Sequence, residues 1–214
     1  MTKTNKNTQI VSAGRKKAYT QGVVNPVVQR ASTVVFDSVA DLKAAAKKRG
    51  DKTLFYGRRG TTTHFALQEA IAELEGGEGC ALYPSGAAAI SNALLSFVKT
   101  GDHILMVDTA YEPTRDFCDK ILAGLGIETT YYPPGIGAGI SELIKENTRV
   151  LFLESPGSIT MEVQDVPAMV AKANERGVMT MLDNTWGNGL HFRPLEHGVD
   201  ISIQAATKYI VGHS

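Results

Sequence analysis

Beyond residue 100 the chain alternates short apolar runs with segments of helical period, and this alternation constrains the fold more than any other feature. The runs at 103–107, 127–131, 150–153, 178–182 and 201–204 have the length and apolar character of strands. Helical spacing separates them: a helix over about 113–125 with Phe117, Ile121 and Leu125 on one face, one over 140–146, and one over 166–176. Ahead of these, Leu67, Ile71 and Leu74 predict a helix ended by Gly76-Gly77. A strand is expected over 80–83, then a helix from Gly86 with Ile90, Leu94, Phe97 and Val98 on its apolar face. Strands that read as continuous apolar runs between helices predict an α/β fold with a mostly parallel sheet covered on both faces. The first sixty residues are less regular. Asn25-Pro26 reads as a turn, and 41–48 as a short exposed helix ended by Gly50. The expected organisation is an N-terminal arm over 1–60 and a larger domain over 61–214.

Acidic and basic residues balance at 22 each, which disfavours nucleic acid or an anionic membrane as a partner. The N-terminus lacks an apolar signal core and no apolar run approaches the ~20 residues that span a bilayer, so a cytoplasmic location is expected. Cys80 and Cys118 have no paired spacing and read as free thiols, and no His/Cys/Asp cluster suggests a metal.

In α/β folds ligands gather at the carboxyl ends of the strands. Three features stand there. Tyr83-Pro84-Ser85-Gly86-Ala87 is a small-residue turn into a helix start, whose free N–H groups suit a phosphate as well as they suit an empty packed turn. Asp183 follows the apolar run Met181-Leu182, and reads either as a turn residue or as a carboxylate held for a ligand cation. Lys208 follows Ala205-Ala206-Thr207. Taken alone it is a surface lysine, but small neighbours could desolvate its amine and make it a Schiff-base former. Together the three match the aldehyde, ring nitrogen and phosphate of pyridoxal 5′-phosphate. A dinucleotide site at Gly77-Glu78-Gly79 fails, because Leu82 takes the third glycine position and the stretch precedes a strand.

The blocks Phe55-Tyr56-Gly57-Arg58-Arg59-Gly60-Thr61, Ser85-Gly86-Ala87, Thr109-Ala110-Tyr111-Glu112-Pro113, Glu154-Ser155-Pro156-Gly157-Ser158, Asp183-Asn184-Thr185 and Gln204-Ala205-Ala206-Thr207-Lys208-Tyr209 with Gly212-His213-Ser214 resemble, in order, the Cys/Met-metabolism PLP-dependent enzymes. That family includes the cystathionine lyases and synthases. The resemblance implies the aspartate-aminotransferase-type fold (fold type I). It also implies that Lys208 binds the cofactor aldehyde and moves the substrate's α-proton, and that Asp183 pairs with the ring nitrogen. Tyr111 would stack on the ring and assist exchange of the substrate amine, although by itself it reads as a helix-start aromatic packed in the core. Gly86, Ala87 and Thr207 would hold the phosphate. Tyr56 and Arg58 would reach the phosphate of a neighbouring subunit, implying a homodimer or homotetramer, and Arg59 would meet the substrate. Gly157-Ser158 stands where γ-acting members carry Ser/Thr-Asn, and Ala205 where many members carry Ser. With the doubled Arg58-Arg59 and Trp186, these departures favour the bacterial β-lyase branch, which cleaves L-cystathionine by β-elimination in methionine biosynthesis; Ala205 also removes a phosphate-binding hydroxyl. A γ-lyase or γ-synthase, or a fragment that binds cofactor without turnover, are the competing readings. Family members are longer, and their C-terminal domain supplies an arginine for the substrate carboxylate. A chain without it is expected to expose apolar surface and to be poorly soluble.

Overall fold

The structure is a computed structural model that describes residues 5–48 and 50–213. Met1–Thr4, Arg49 and Ser214, the last of these part of the Gly-His-Ser block, lie outside the described residues. The chain divides into two compact units, one up to Leu82 and one from Tyr83.

The first unit is helical. α1 (Lys6–Ser12), α2 (Lys17–Thr20), α3 (Val39–Lys47) and a 3-10 turn over Gly57–Arg59 precede α4 (Thr62–Glu75). α3 has no buried residue, as its composition predicts, and Ser38 caps it by accepting the Asp41 N–H. Thr61 and His64 close a capping box at the start of α4, and Gly76 ends that helix in the left-handed conformation. Its buried side is Phe65 and Ala66, whereas Leu67 is exposed. Glu69, midway along α4, accepts the Tyr19 hydroxyl and the Lys52 amine and pairs with Lys16. The strand expected over 80–83 is absent. The Cys80 carbonyl is taken instead by the Gln68 side chain, and Leu82 and Tyr83 stand exposed, so no ladder draws this segment straight.

The second unit is built on five parallel strands: β1 (His103–Val107), β2 (Glu128–Tyr132), β3 (Thr148–Glu154), β4 (Met179–Asp183) and β5 (Ile201–Ile203). Their order across the sheet is β2-β1-β3-β4-β5, and every neighbouring pair is parallel. All five residues of β1 are buried, as are Val150–Leu153 of β3, so these strands are covered on both faces. Thr180 and Asp200 fasten β5 to β4: the Thr180 N–H and hydroxyl donate to Asp200 Oδ2, and the Asp200 N–H donates back to Thr180 Oγ1.

α5 (Gly86–Phe97) buries Ile90 and Leu94, but the helix ends before Val98 and Phe97 faces outward. The helix expected over 113–125 forms as three turns of different pitch: α6 (Glu112–Asp116), a π-helical stretch over Phe117–Leu122 and a 3-10 turn over Ala123–Leu125. The wider π turn rotates the buried face, so Cys118 and Leu122 enter the core while Ile121 and Leu125 stay outside. The helix expected over 140–146 lies earlier, as 3-10 turns over Pro134–Glu142 interrupted at Gly137, whose positive φ breaks the helical run. α7 (Val166–Glu175) forms where its periodicity places it, capped by Asp165. No helix among the described residues is long and apolar enough to cross a membrane.

Candidate active site

The carboxyl ends of the strands carry the chemistry. The strand order reverses between β1 and β3, so the loops leaving those two strands part and leave a crevice. From β1 the chain runs through Thr109 to Tyr111, the residue before α6. From β3 it passes Glu154 into a loop that closes on itself, the Gly157 N–H donating to the Glu162 carbonyl, and that returns to β1 through the Ser158 N–H on the Thr109 carbonyl. β4 ends in Asp183, and the turn after β5 carries Thr207 and Lys208.

Glu154, Ser158, Asp183, Thr185, Trp186, Thr207, Lys208 and Tyr209 line one open cavity of about 590 Å³. Asp183 is buried at the strand end. Its Oδ1 accepts the Thr185 N–H at 3.0 Å. Burial pushes its carboxyl above the ordinary range, and the hydrogen bonds from the Thr185 hydroxyl and N–H only partly offset this. Glu154 stands directly beside it in the β3–β4 register. Burial first, then the charge of Asp183, pushes Glu154 up to about 8, against the opposing bond from the Tyr111 N–H at 2.8 Å. Among the described residues no lysine, arginine or histidine pairs with Asp183, so this acidic corner would gain most from a ligand cation. Trp186 and Tyr209 meet edge to face at 6.3 Å, and the His191 ring lies tilted to the indole at 5.5 Å.

The helix start at Gly86 meets the same region. Ser85 Oγ takes the Ala88 N–H and the Ser85 carbonyl takes that of Ala89, which leaves the Gly86 and Ala87 N–H groups ahead of the first intrahelical bond. A Cβ on Gly86 would lie 2.7 Å from the Ala205 Cβ, so glycine is what lets α5 begin against the Ala205–Lys208 turn.

Of the residues singled out from sequence, Asp183, Thr207 and Lys208 therefore share one cavity, and Gly86 and Ala87 begin a helix packed on the segment leading to Lys208. Two expectations need correction. Lys208 is exposed: the small residues before it form an open turn that leaves its side chain uncovered. Tyr111 is 49% exposed, so it is no core aromatic. Tyr56, Arg58 and Arg59 belong to the first unit, where Tyr56 precedes the 3-10 turn, Arg58 stacks over its ring at 5.6 Å, and both arginines are exposed. Sequence reasoning gave no role to Glu154. Its signal was the one used for Asp183, a carboxylate directly after an apolar run, here Leu151-Phe152-Leu153.

The family model for Cys/Met metabolism PLP-dependent enzymes matches residues 7–214. The chain belongs to that family. It is 58% identical to the cystathionine beta-lyase MetC of Escherichia coli over 97% of this chain and 53% of that protein. It is 56% identical to the cystathionine beta-lyase of Salmonella typhimurium over all of this chain and 55% of that protein. The chain thus spans about half the length of the curated relatives it matches. The crystal structure of metB from Corynebacterium glutamicum superposes with a TM-score of 0.87 at 25% identity, over 99% of this chain and 53% of that one. The fold is accordingly the α/β, fold type I architecture expected from the sequence. The family's cofactor, pyridoxal phosphate, fits the donor set: a paired carboxyl corner for a cationic ring nitrogen, a helix start for a phosphate and an accessible amine for an aldehyde.

Proposed function

We propose that the protein is a cystathionine β-lyase, converting L-cystathionine and water to homocysteine, pyruvate and ammonia in methionine biosynthesis. The observation that carries this reading is the placement of Asp183, Thr207 and Lys208 around one cavity at the carboxyl edge of the sheet. Three relatives at 55–58% identity bear that activity in their names.

Bound pyridoxal phosphate supplies an aldehyde for an amine and a protonated ring that accepts electrons from the substrate's α-carbon. In this reading Asp183 accepts the ring N–H, and burial makes that ion pair far stronger than it would be in water. The Gly86 and Ala87 N–H groups and the Thr207 hydroxyl donate to the phosphate. Ala205, where many members carry Ser, leaves that cradle one hydroxyl short. Tyr111 would stack on the ring. Lys208 Nζ would hold the group through its aldehyde and, when free, would move the proton at the substrate Cα. Arg59 contacts the substrate, while Tyr56 and Arg58 serve the phosphate of a neighbouring subunit in a homodimer or homotetramer; a guanidinium fork suits that role. The residues up to 60 act as an arm ahead of the cofactor domain, and the location is the cytoplasm.

The test has two parts. Borohydride reduction of the chain with pyridoxal phosphate should fix the cofactor on Lys208, and Lys208→Ala should lose both the adduct and the visible absorption band. With L-cystathionine as substrate, pyruvate is the expected keto acid. A band retained in Lys208→Ala would remove the lysine from its role, and 2-oxobutyrate in place of pyruvate would assign the chain to the γ-acting branch.

A further inference from the structure

Glu154 has no part in the site as proposed above, yet it touches two of that site's components. Its Oε2 accepts the Tyr111 N–H at 2.8 Å, a bond across the crevice between the β1 and β3 loops. Its neighbour in register is Asp183. The glutamate is itself firmly held. Its N–H donates to Gln164 Oε1 at 3.1 Å, the Gln164 N–H donates to Ser155 Oγ, and Gln164 Nε2 donates to the Tyr132 hydroxyl, which in turn donates to the Phe152 carbonyl. Gln164 and Tyr132 are both buried, so this brace beneath the strand end is fixed.

At Tyr111 the contrast is plain. The residue is half exposed, its side chain makes no capping bond, and α6 behind it is only a short turn. The Glu154 bond is therefore what sets where the chain enters α6 and where the ring at 111 stands. A carboxyl one strand away from Asp183 does this without adding a second full negative charge beside it, because burial and Asp183 itself keep Glu154 largely protonated at neutral pH. An uncharged carboxyl still offers an oxygen to the N–H.

We propose that Glu154 is a positioning residue for the cofactor, acting through Tyr111: its side chain anchors the Tyr111 backbone beside Asp183 and so fixes the aromatic ring that lies on the cofactor. The proposal rests on the assignment of Tyr111 and Asp183 to a pyridoxal phosphate site. It makes the backbone bond, rather than the charge of Glu154, the functional contact.

The experiment is a pyridoxal phosphate titration of the chain, followed by absorbance and by the circular dichroism of the bound cofactor, for Glu154→Gln, Glu154→Asp, Glu154→Ala, Tyr111→Ala and the Glu154→Ala/Tyr111→Ala double variant. The glutamine keeps an acceptor at the same reach and should hold affinity close to wild type with the wild-type dichroic band. Alanine, and aspartate, which is one methylene short, should each lose roughly tenfold and change the band, since a lost buried acceptor costs about that factor. In the double variant the loss should match that of Tyr111→Ala alone, because the anchor has nothing left to position. Losses that multiply, a glutamine variant as impaired as alanine, or an alanine variant indistinguishable from wild type would each overturn the proposal. Should Glu154→Ala fail to fold by far-ultraviolet dichroism, the glutamine–aspartate contrast decides alone. Failure of the underlying site assignment looks different: the wild-type chain itself would give no borohydride adduct at Lys208.

Discussion

Gly86→Ala is the substitution whose cost the structure specifies most directly. The added Cβ would lie 2.7 Å from the Ala205 Cβ and 3.1 Å from the Ala205 Cα. Carbon atoms in contact sit at about 3.5–4.0 Å, so the overlap is about 1 Å. Neither partner is the loose end of a flexible side chain, so the start of α5 or the Ala205–Lys208 turn has to move. Overpacking of this kind costs about 1–3 kcal/mol, which lowers the melting temperature of a chain of this length by roughly 4–8 °C for a 2 kcal/mol loss. The displacement falls on the Gly86 and Ala87 N–H groups, so affinity for pyridoxal phosphate should drop along with stability. Removing the nearer obstacle with Ala205→Gly should restore most of both in the double variant. The assay is thermal unfolding and cofactor titration of the two single variants and the pair. If Gly86→Ala melts with the wild type, or if Ala205→Gly fails to relieve it, the close approach is not what requires glycine at this position.

Three further outcomes follow from the titrating groups. Glu154 is raised from 4.5 to about 8 in the fold, so the folded state binds the extra proton and stability declines as pH rises from about 4.5 through about 8; Glu154→Gln should therefore raise the urea midpoint of the cofactor-free chain at the alkaline end of that range and leave it unchanged at the acid end. His103 is fully buried between the Thr148 and Thr130 hydroxyls, and burial holds its pKa below 6.5. Its contribution has the opposite sign: it is complete above 6.5 and is lost as pH falls below that value, so His103→Gln should show a shallower acid-side loss than the wild type in the same measurement. Burial pushes the Cys118 thiol up to about 12, and an aromatic disulfide reagent should leave it unlabelled in the native chain and label it on unfolding; rapid labelling of native Cys118 would contradict its position in the core.

The sheet was legible because its central strands β1 and β3 carry continuous apolar runs. His103–Val107 needs no context to read as a strand buried on both faces, and its parallel pairing follows from the helices on either side. Asp183 and Lys208 were legible as a pair of oddities at strand ends, each weak alone. What escaped was decided by tertiary contacts. The segment at 80–83 has strand composition, but its backbone found a side-chain partner in Gln68. The periodicity of 113–125 is helical, yet one π-helical insertion turned Ile121 outward and Cys118 inward, a rotation no spacing argument contains. Glu154 was hidden for a subtler reason. Its significance lies in the register with Asp183 and in a bond to a backbone N–H, and neither relation is written in residue type.

β5 is only three residues long and, among the described residues, pairs with β4 alone. Segments held by so few ladder bonds open far more readily than the central strands, without the rest of the sheet unfolding. Lys208 rides on the turn just beyond it. A ligand that ties Lys208 to Asp183 would bridge β4 and β5 and suppress that opening, so hydrogen exchange at Ile201–Ile203 should slow on loading while β1 and β3 stay as they were. If Lys208 holds the cofactor as proposed, it would then be the point at which the cofactor ties β5 to the rest of the sheet.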